Sequence, residues 1–225
     1  MQKECSFKAL FGCPEHSICY DWLAGFEYPW QALDGLGDFI RKTGAELPLD
    51  VYEQRGGDIF IARDVEVAPT ATLTGPLIVC PGAKIRPGAF IRGCVVVGAG
   101  AVVGNSTELK NCVLFDGAEV PHFNYVGDSI LGYRAHLGAG AVTSNIKSDR
   151  KNVAVRVGDA VIETGRRKLG ALLGDFAEVG CNSVLNPGTV IGRHATVYPL
   201  SSVRGYVPEG HIYKTAGNVV KKRDE

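Results

Sequence analysis

The chain has 225 residues, enough for one sizeable domain and a small added element. Its 24 basic and 24 acidic residues balance, which gives no support to a nucleic-acid or anionic-membrane surface. No run of 18 apolar residues is present, which argues against a membrane-spanning helix.

In chain order, the start MQKECSFKALFGC lacks the long apolar core of a signal peptide, so a cytoplasmic protein is expected. Seven cysteines without framework spacing read as reduced thiols. Cys5, Cys13 and Cys19 lie close together, but no CxxC pair exists and no metal site is expected. The stretch YPWQALDGLGDFIRKTG places Trp30, Leu33, Leu36, Phe39 and Ile40 at helical spacing and ends near Gly44. Trp22 and Trp30 are expected to dock that helix on the body that follows.

From Ile61 the chain repeats every six residues: Val67, Leu73, Val79, Ile85, Ile91, Val97, Val103, Leu109 and Phe115 are all apolar. At 45% apolar composition such a run has a chance of roughly two in a thousand, so the repeat is real. The position four residues after each anchor is small or apolar until Glu119, and Gly and Pro cluster between anchors ("CPGA", "RPGA", "GAGA"). Neither a strand of period two nor a helix of period 3.6 gives six. Short strands meeting at corners do: three strands make a coil of about 18 residues, and coils stack at about 4.8 Å. The expected fold is an all-β parallel β-helix with a short helical N-terminal extension.

The beat falters after Phe115. The next anchor would be Pro121, yet the frame resumes at Tyr125, Leu131, Leu137 and Thr143. On that count the corner "PHFN" has lost two residues, and His122 is expected to be pushed outward there, either to act or simply to be solvated. Residues 144–172 break the repeat with a polar loop, "SNIKSDRKN", and a segment that alternates like a hairpin turning at Gly158-Asp159. The frame returns at Leu173, Val179, Leu185, Ile191, Val197 and Val203. The expected division is a helical extension over 1–57, a prism over 58–207 with an insertion at 144–172, and a tail over 208–225.

The stretch GNSTELKNC…VPHFNYVGDSILGYRAHLGAGAVTSN, residues 104–145, strongly resembles a family of hexapeptide-repeat acyltransferases. These are the acetyltransferase domains of bifunctional UDP-N-acetylglucosamine pyrophosphorylase/glucosamine-1-phosphate N-acetyltransferases and related archaeal sugar-phosphate enzymes. The resemblance covers most of residues 60–205, and its specific element is His-x-x-Tyr-x-Gly-Asp followed by LGAGAVTSN. It implies a left-handed β-helix, a handedness that physics alone would not supply. It also implies a homotrimer with sites between prisms, acetyl-CoA as acyl donor without a metal, and an amino-sugar 1-phosphate as acceptor.

The resemblance assigns residues as follows. His122 matches the general base, a fitting choice because histidine titrates near neutrality and transfer from a thioester needs a neutral amine. Glu108 matches the group that orients it, and Asn145 an asparagine at the sugar and acetyl group. A sugar phosphate needs cations: Arg92 and Lys110 are 18 residues apart, one coil, and so share a face. Arg86, before a Pro-Gly as in the family, is the rival. Tyr125 matches a phosphate-holding tyrosine, and Lys151 a lysine that reaches a neighbouring subunit. His136 replaces the family's asparagine against the sugar, which puts the exact acceptor in doubt. Ala139 and Cys181 match small residues at the thioester cofactor.

Residues 1–57 hold no glycine-rich, basic nucleotide loop, so no pyrophosphorylase activity is expected of this stretch. Two other readings stay open: a non-catalytic prism that binds a sugar nucleotide, and a γ-carbonic-anhydrase-like metal site. The second needs three converging histidines, and His16, His122, His136, His194 and His211 lack the close spacing for it.

Overall fold

The computed structural model describes residues 3–223. The ends of the expected division, residues 1–2 and 224–225, lie outside them. Among the described residues no helix is long and apolar enough to cross a membrane.

The body is a left-handed parallel β-helix of three-strand coils. Neighbouring coils pair in parallel at a separation of 18 residues: Ile61 with Val79, Val67 with Ile85, Leu73 with Ile91. The period-six anchors point inward and form one continuous column of Ile, Leu, Val and Ala side chains. At the corners the chain turns through left-handed backbone. One corner stacks Gly88, Ser106, Phe123, Gly140, Asn182 and Leu200, all with φ between +51° and +73°.

The place where the beat breaks differs from the expectation. Ile91 pairs with Leu109 at 18 residues, but Val95 pairs with Cys112 and Val97 with Leu114 at 17. One residue has been dropped at the corner where Gly93 and Cys94 turn the coil before, leaving Asn111 alone to turn it at φ +49°. The following coil repeats the shortening at Asp128, φ +48°. Because one residue suffices, the strands Glu108–Leu114 and Tyr125–Leu131 run straight through the corner and join two faces into one sheet. The inner residues are therefore Leu114, Val120 and Val126, not Phe115, Pro121 and Tyr125. The hexad from Val120 to Val126 is complete, and the "PHFN" corner has lost nothing.

Phe115 is apolar for another reason. It faces outward and stacks on Phe11 at 4.9 Å. The N-terminal extension covers most of that face, and Val153, Val155 and Leu169 of the insertion join it beside Val190: Phe60, Ile78, Val96, Val113, Ile130, Leu172 and Val190 point out of the prism, yet each is 5% exposed or less. The extension's part of this cover is a series of short helical turns ending in Pro29–Asp34 and the helix Leu36–Ala45, which break at Gly35 instead of forming one helix. Trp30 is buried among them, whereas Trp22 stacks on Phe39 within the extension.

The insertion carries an antiparallel hairpin, Ala154–Val157 with Ala160–Glu163, turning through Gly158 and Asp159. Three strands lie beyond the expected limits of the prism. Tyr52–Gln54 pairs antiparallel with Ile59–Ala62, and His211–Thr215 continues the stack before Asn218–Lys221 folds back over it. Hydrogen-bonded edges left open at either end of such a stack would invite pairing with other chains, and these antiparallel strands occupy edge positions there.

Candidate functional site

The covered face leaves two others bare, and they meet at the corner of His122. That side chain is exposed, while its backbone is held from both sides. The His122 N–H donates to Asn124 Oδ1 at 3.0 Å, and its carbonyl accepts from Gly140 N at 2.9 Å. Asn124 is 3% exposed and donates from Nδ2 to the carbonyls of Gly138 and Ala141, so one buried amide fixes the corner across two coils. The parallel register sets Ala139 one coil beyond His122 and Cys181 one coil beyond Ala139, with Asn182 N donating to the Ala139 carbonyl at 2.8 Å. Residues expected to serve proton transfer and the thioester thus share one corner column.

On the adjoining face, Arg92 and Lys110 are adjacent across neighbouring coils, as their spacing required. Arg86 projects from a different face, beside Glu66 and Lys84. Within the chain Glu108 accepts from Arg92 Nη1 at 2.6 Å and makes no hydrogen bond to His122. The cause is the register: Glu108 lies beside Phe90 one coil earlier, within reach of Arg92, while His122 stands beyond the corner. Lys110 has no ion-pair partner among the described residues.

Tyr125 heads the next strand, and its hydroxyl accepts from Asn145 Nδ2 at 3.2 Å. Partial burial raises the phenol's pKa, and the carboxylates of Asp128 and Glu108 add to this. Asn145 Nδ2 also donates to Asp128 Oδ2 at 2.6 Å, and Asn111 Nδ2 donates to Asp128 Oδ1 at 2.8 Å. Asp128 is 5% exposed, with Arg166 of the insertion 3.9 Å away and itself paired with Asp34. Sequence reasoning passed over Asn111, Asp128 and Arg166. The available signal was the Asp of Tyr-x-Gly-Asp, the one charged residue in a strand that is otherwise uncharged.

Two expected residues stand apart from this group. His136 Nδ1 lies 2.9 Å from Glu178 Oε2, on the face before the His122 corner. Lys151 is exposed in the loop before the hairpin, where its N–H donates to Asp149. The other histidines are dispersed: His16 stacks on Tyr133, His194 on Phe176, and His211 lies beside the Glu209 carbonyl. Among the described residues, the group with metal-ligand spacing is Cys13, Glu15 and His16, in the extension and with one histidine; Cys5 and Cys19 are buried outside it.

A family profile described as the GMPPB C-terminal domain matches residues 73–166. Over 102 residues, 45% of its length, the chain is 39% identical to a bifunctional sugar-1-phosphate nucleotidylyltransferase/acetyltransferase of Sulfurisphaera tokodaii, covering 25% of that protein. Over 112 residues it is 31% identical to the bifunctional protein GlmU of Methanococcus maripaludis, covering 49% of this chain and 27% of the relative. The chain thus spans about a quarter of the length of these curated relatives. Among solved structures, a point mutant of AntD, an N-acyltransferase from Bacillus cereus in complex with dTDP and coenzyme A, covers 78% of this chain and 92% of its own at 16% identity, TM-score 0.36. The resemblance read from residues 104–145 is therefore borne out: this is a hexapeptide-repeat chain similar to one part of bifunctional sugar-1-phosphate acetyltransferases.

Proposed function

We propose that the chain is an N-acetyltransferase that moves the acetyl group of acetyl-CoA to the amine of an amino-sugar 1-phosphate. In the step, the neutral amine attacks the thioester carbonyl, a C–N bond forms, the C–S bond breaks and coenzyme A leaves as the thiol. His122 takes the proton that the amine sheds and returns it to the departing sulfur. Acetyl-CoA supplies the activated acyl group. A Cβ at Gly138 would come within 2.7 Å of Cys181 N, so the coils are tightly packed beside Ala139.

The observation that carries this reading is the shared corner. His122, Ala139 and Cys181 stack in one column, and Arg92, Lys110, Tyr125 and Asn145 occupy the adjoining face. Arg92 and Lys110 hold the phosphate, with Glu108 keeping the guanidinium in place. His136 and Lys151 are assigned to sites completed by a neighbouring subunit. The compartment is the cytoplasm, and nothing in the chain requires pyrophosphorylase activity. A screen of amino-sugar phosphates with acetyl-CoA, read by free thiol release, tests the proposal; absence of turnover with every amine favours the non-catalytic sugar-nucleotide-binding reading.

Arg92→Ala should raise KM for the sugar phosphate by about 10- to 100-fold, the loss of a charged hydrogen bond worth roughly 1.5–3 kcal/mol. Arg86→Ala should leave KM near the wild-type value, because it serves another face. The reverse ranking would overturn the assignment.

The assembly proposed is a homotrimer. The exposed large apolar residues Phe90, Phe123, Val184, Tyr198 and Leu200 lie on the two bare faces and the corner between them. Apolar side chains gathered in this way mark a protein contact, and a threefold ring closes one repeated contact between different faces. Light scattering at micromolar concentration should give three times the chain mass; an active monomer would end the assignment.

A further inference from the structure

We infer that Asp128 is a positioning residue that fixes which way the Asn145 amide faces, so that Asn145 offers a hydrogen-bond acceptor and Tyr125 a donor to the acceptor molecule. The inference rests on the reading above in placing the sugar against the Tyr125 face.

The argument begins with the shortened corner. Dropping one residue in two successive coils puts Asn111 and Asp128 in left-handed backbone, one above the other, with the Asp128 carboxylate buried at the edge of the Tyr125 face. An ionised carboxylate only accepts hydrogen bonds, whereas an amide offers two N–H donors on one side and an oxygen on the other. Asn145 must therefore turn its nitrogen to Asp128, at 2.6 Å, and the orientation is dictated rather than free. The second N–H goes to the Tyr125 hydroxyl at 3.2 Å. With both donors used, the Asn145 Oδ1 is left without a hydrogen bond within the described chain. The Tyr125 oxygen, already accepting, has its own hydrogen to give, and no acceptor in the described chain takes it.

Gly127 makes this arrangement possible. A Cβ there would come within 2.5 Å of the Tyr125 hydroxyl and 2.8 Å of Asn145 Nδ2. Each member of Tyr-x-Gly-Asp thus has a part: a donor, the space for it to meet Asn145, and the charge that orients Asn145. Arg166, one-tenth exposed and paired with Asp34, closes the buried side of the carboxylate. The chemical consequence is specific. Asn145 receives an N–H or O–H of the sugar, such as the attacking amine's, and does not donate to the oxygen that becomes negative during transfer. Tyr125 donates to a phosphoryl or hydroxyl oxygen.

Asp128→Asn removes the constraint, because an amide at 128 can face Asn145 either way. KM for the amino-sugar phosphate should rise about tenfold, with KM for acetyl-CoA unchanged. The double variant Asp128→Asn/Asn145→Ala should be no worse than Asn145→Ala alone, since the first residue acts through the second. Gly127→Ala is the second variant; its clash is with the far ends of two side chains, so it should fold and show the same split. A readout that needs no turnover is the Asn145 side-chain amide in a 15N-labelled, deuterated sample, identified by its loss in Asn145→Ala. Both of its protons should exchange slowly in the wild type and rapidly in Asp128→Asn. Equal exchange in the two proteins, or additive losses in the double variant, would overturn the inference. Absence of acyl transfer in the wild type would instead overturn the proposed function, while the exchange measurement would still decide this point.

Discussion

His122→Ala should lower kcat by about 10²–10⁴, the usual range for loss of a general base. KM for acetyl-CoA should change little, because the histidine serves the amine. The limb of the pH–rate profile on which activity is lost by protonation of the base should disappear. Raising the pH should partly restore the variant, since more of the amine is then neutral in solution. Folding should survive. The imidazole is exposed and makes no hydrogen bond among the described residues, and both bonds that tie this position are made by backbone atoms that alanine keeps. The competing idea, that His122 only shapes the corner, predicts a lower melting temperature with near-normal turnover. A folded His122→Ala protein that acetylates at close to the wild-type rate would end the assignment.

The period of six was legible because each repeat turns its anchor and the residue two before it into the prism, and these must be apolar or small whatever their neighbours are. The position of the break was not. A residue lost at Asn111 moves the inner slot from 115 to 114, and Leu114 and Phe115 are both apolar, one because it fills the prism and the other because it meets Phe11. Hydrophobic pattern cannot separate two kinds of burial that fall on adjacent residues. The error mattered for the reason attached to His122 and not for its location, since a histidine at an ordinary corner is just as exposed.

The same limit explains Glu108. Adding one coil to Arg92 finds Lys110 correctly, but a side chain as long as arginine also reaches the residue two positions away on the next coil, and Glu108 claims it. Spacing finds columns; it does not choose partners within reach. The extension was the least legible part. Its turns of three to six residues are too short to show a period, and their apolar residues are set by the outer face of the prism, which is itself visible only after the register is known.

That cover leads to the largest expected effect on stability. Trp30→Ala should cost about 3–5 kcal/mol, the range for deleting a buried aromatic that leaves a cavity. Trp30 is 1% exposed and stacks on Tyr28 at 4.5 Å, within the turn Pro29–Asp34 that lies against the strand Tyr125–Leu131. Its removal opens a cavity in the cluster that covers the outer face of the prism. The same turn ends at Asp34, the partner of Arg166 beside Asp128. The loss should therefore reach the site as well: denaturant unfolding should shift to lower concentration, and KM for the sugar phosphate should rise without change in KM for acetyl-CoA, whose column lies at the opposite edge of the Tyr125 face. A prism stable without its extension would behave otherwise, with Trp30→Ala costing under about 1 kcal/mol as for a surface residue. In that outcome the outer face would be an interface for some other occupant, and the extension would not be part of the domain's core.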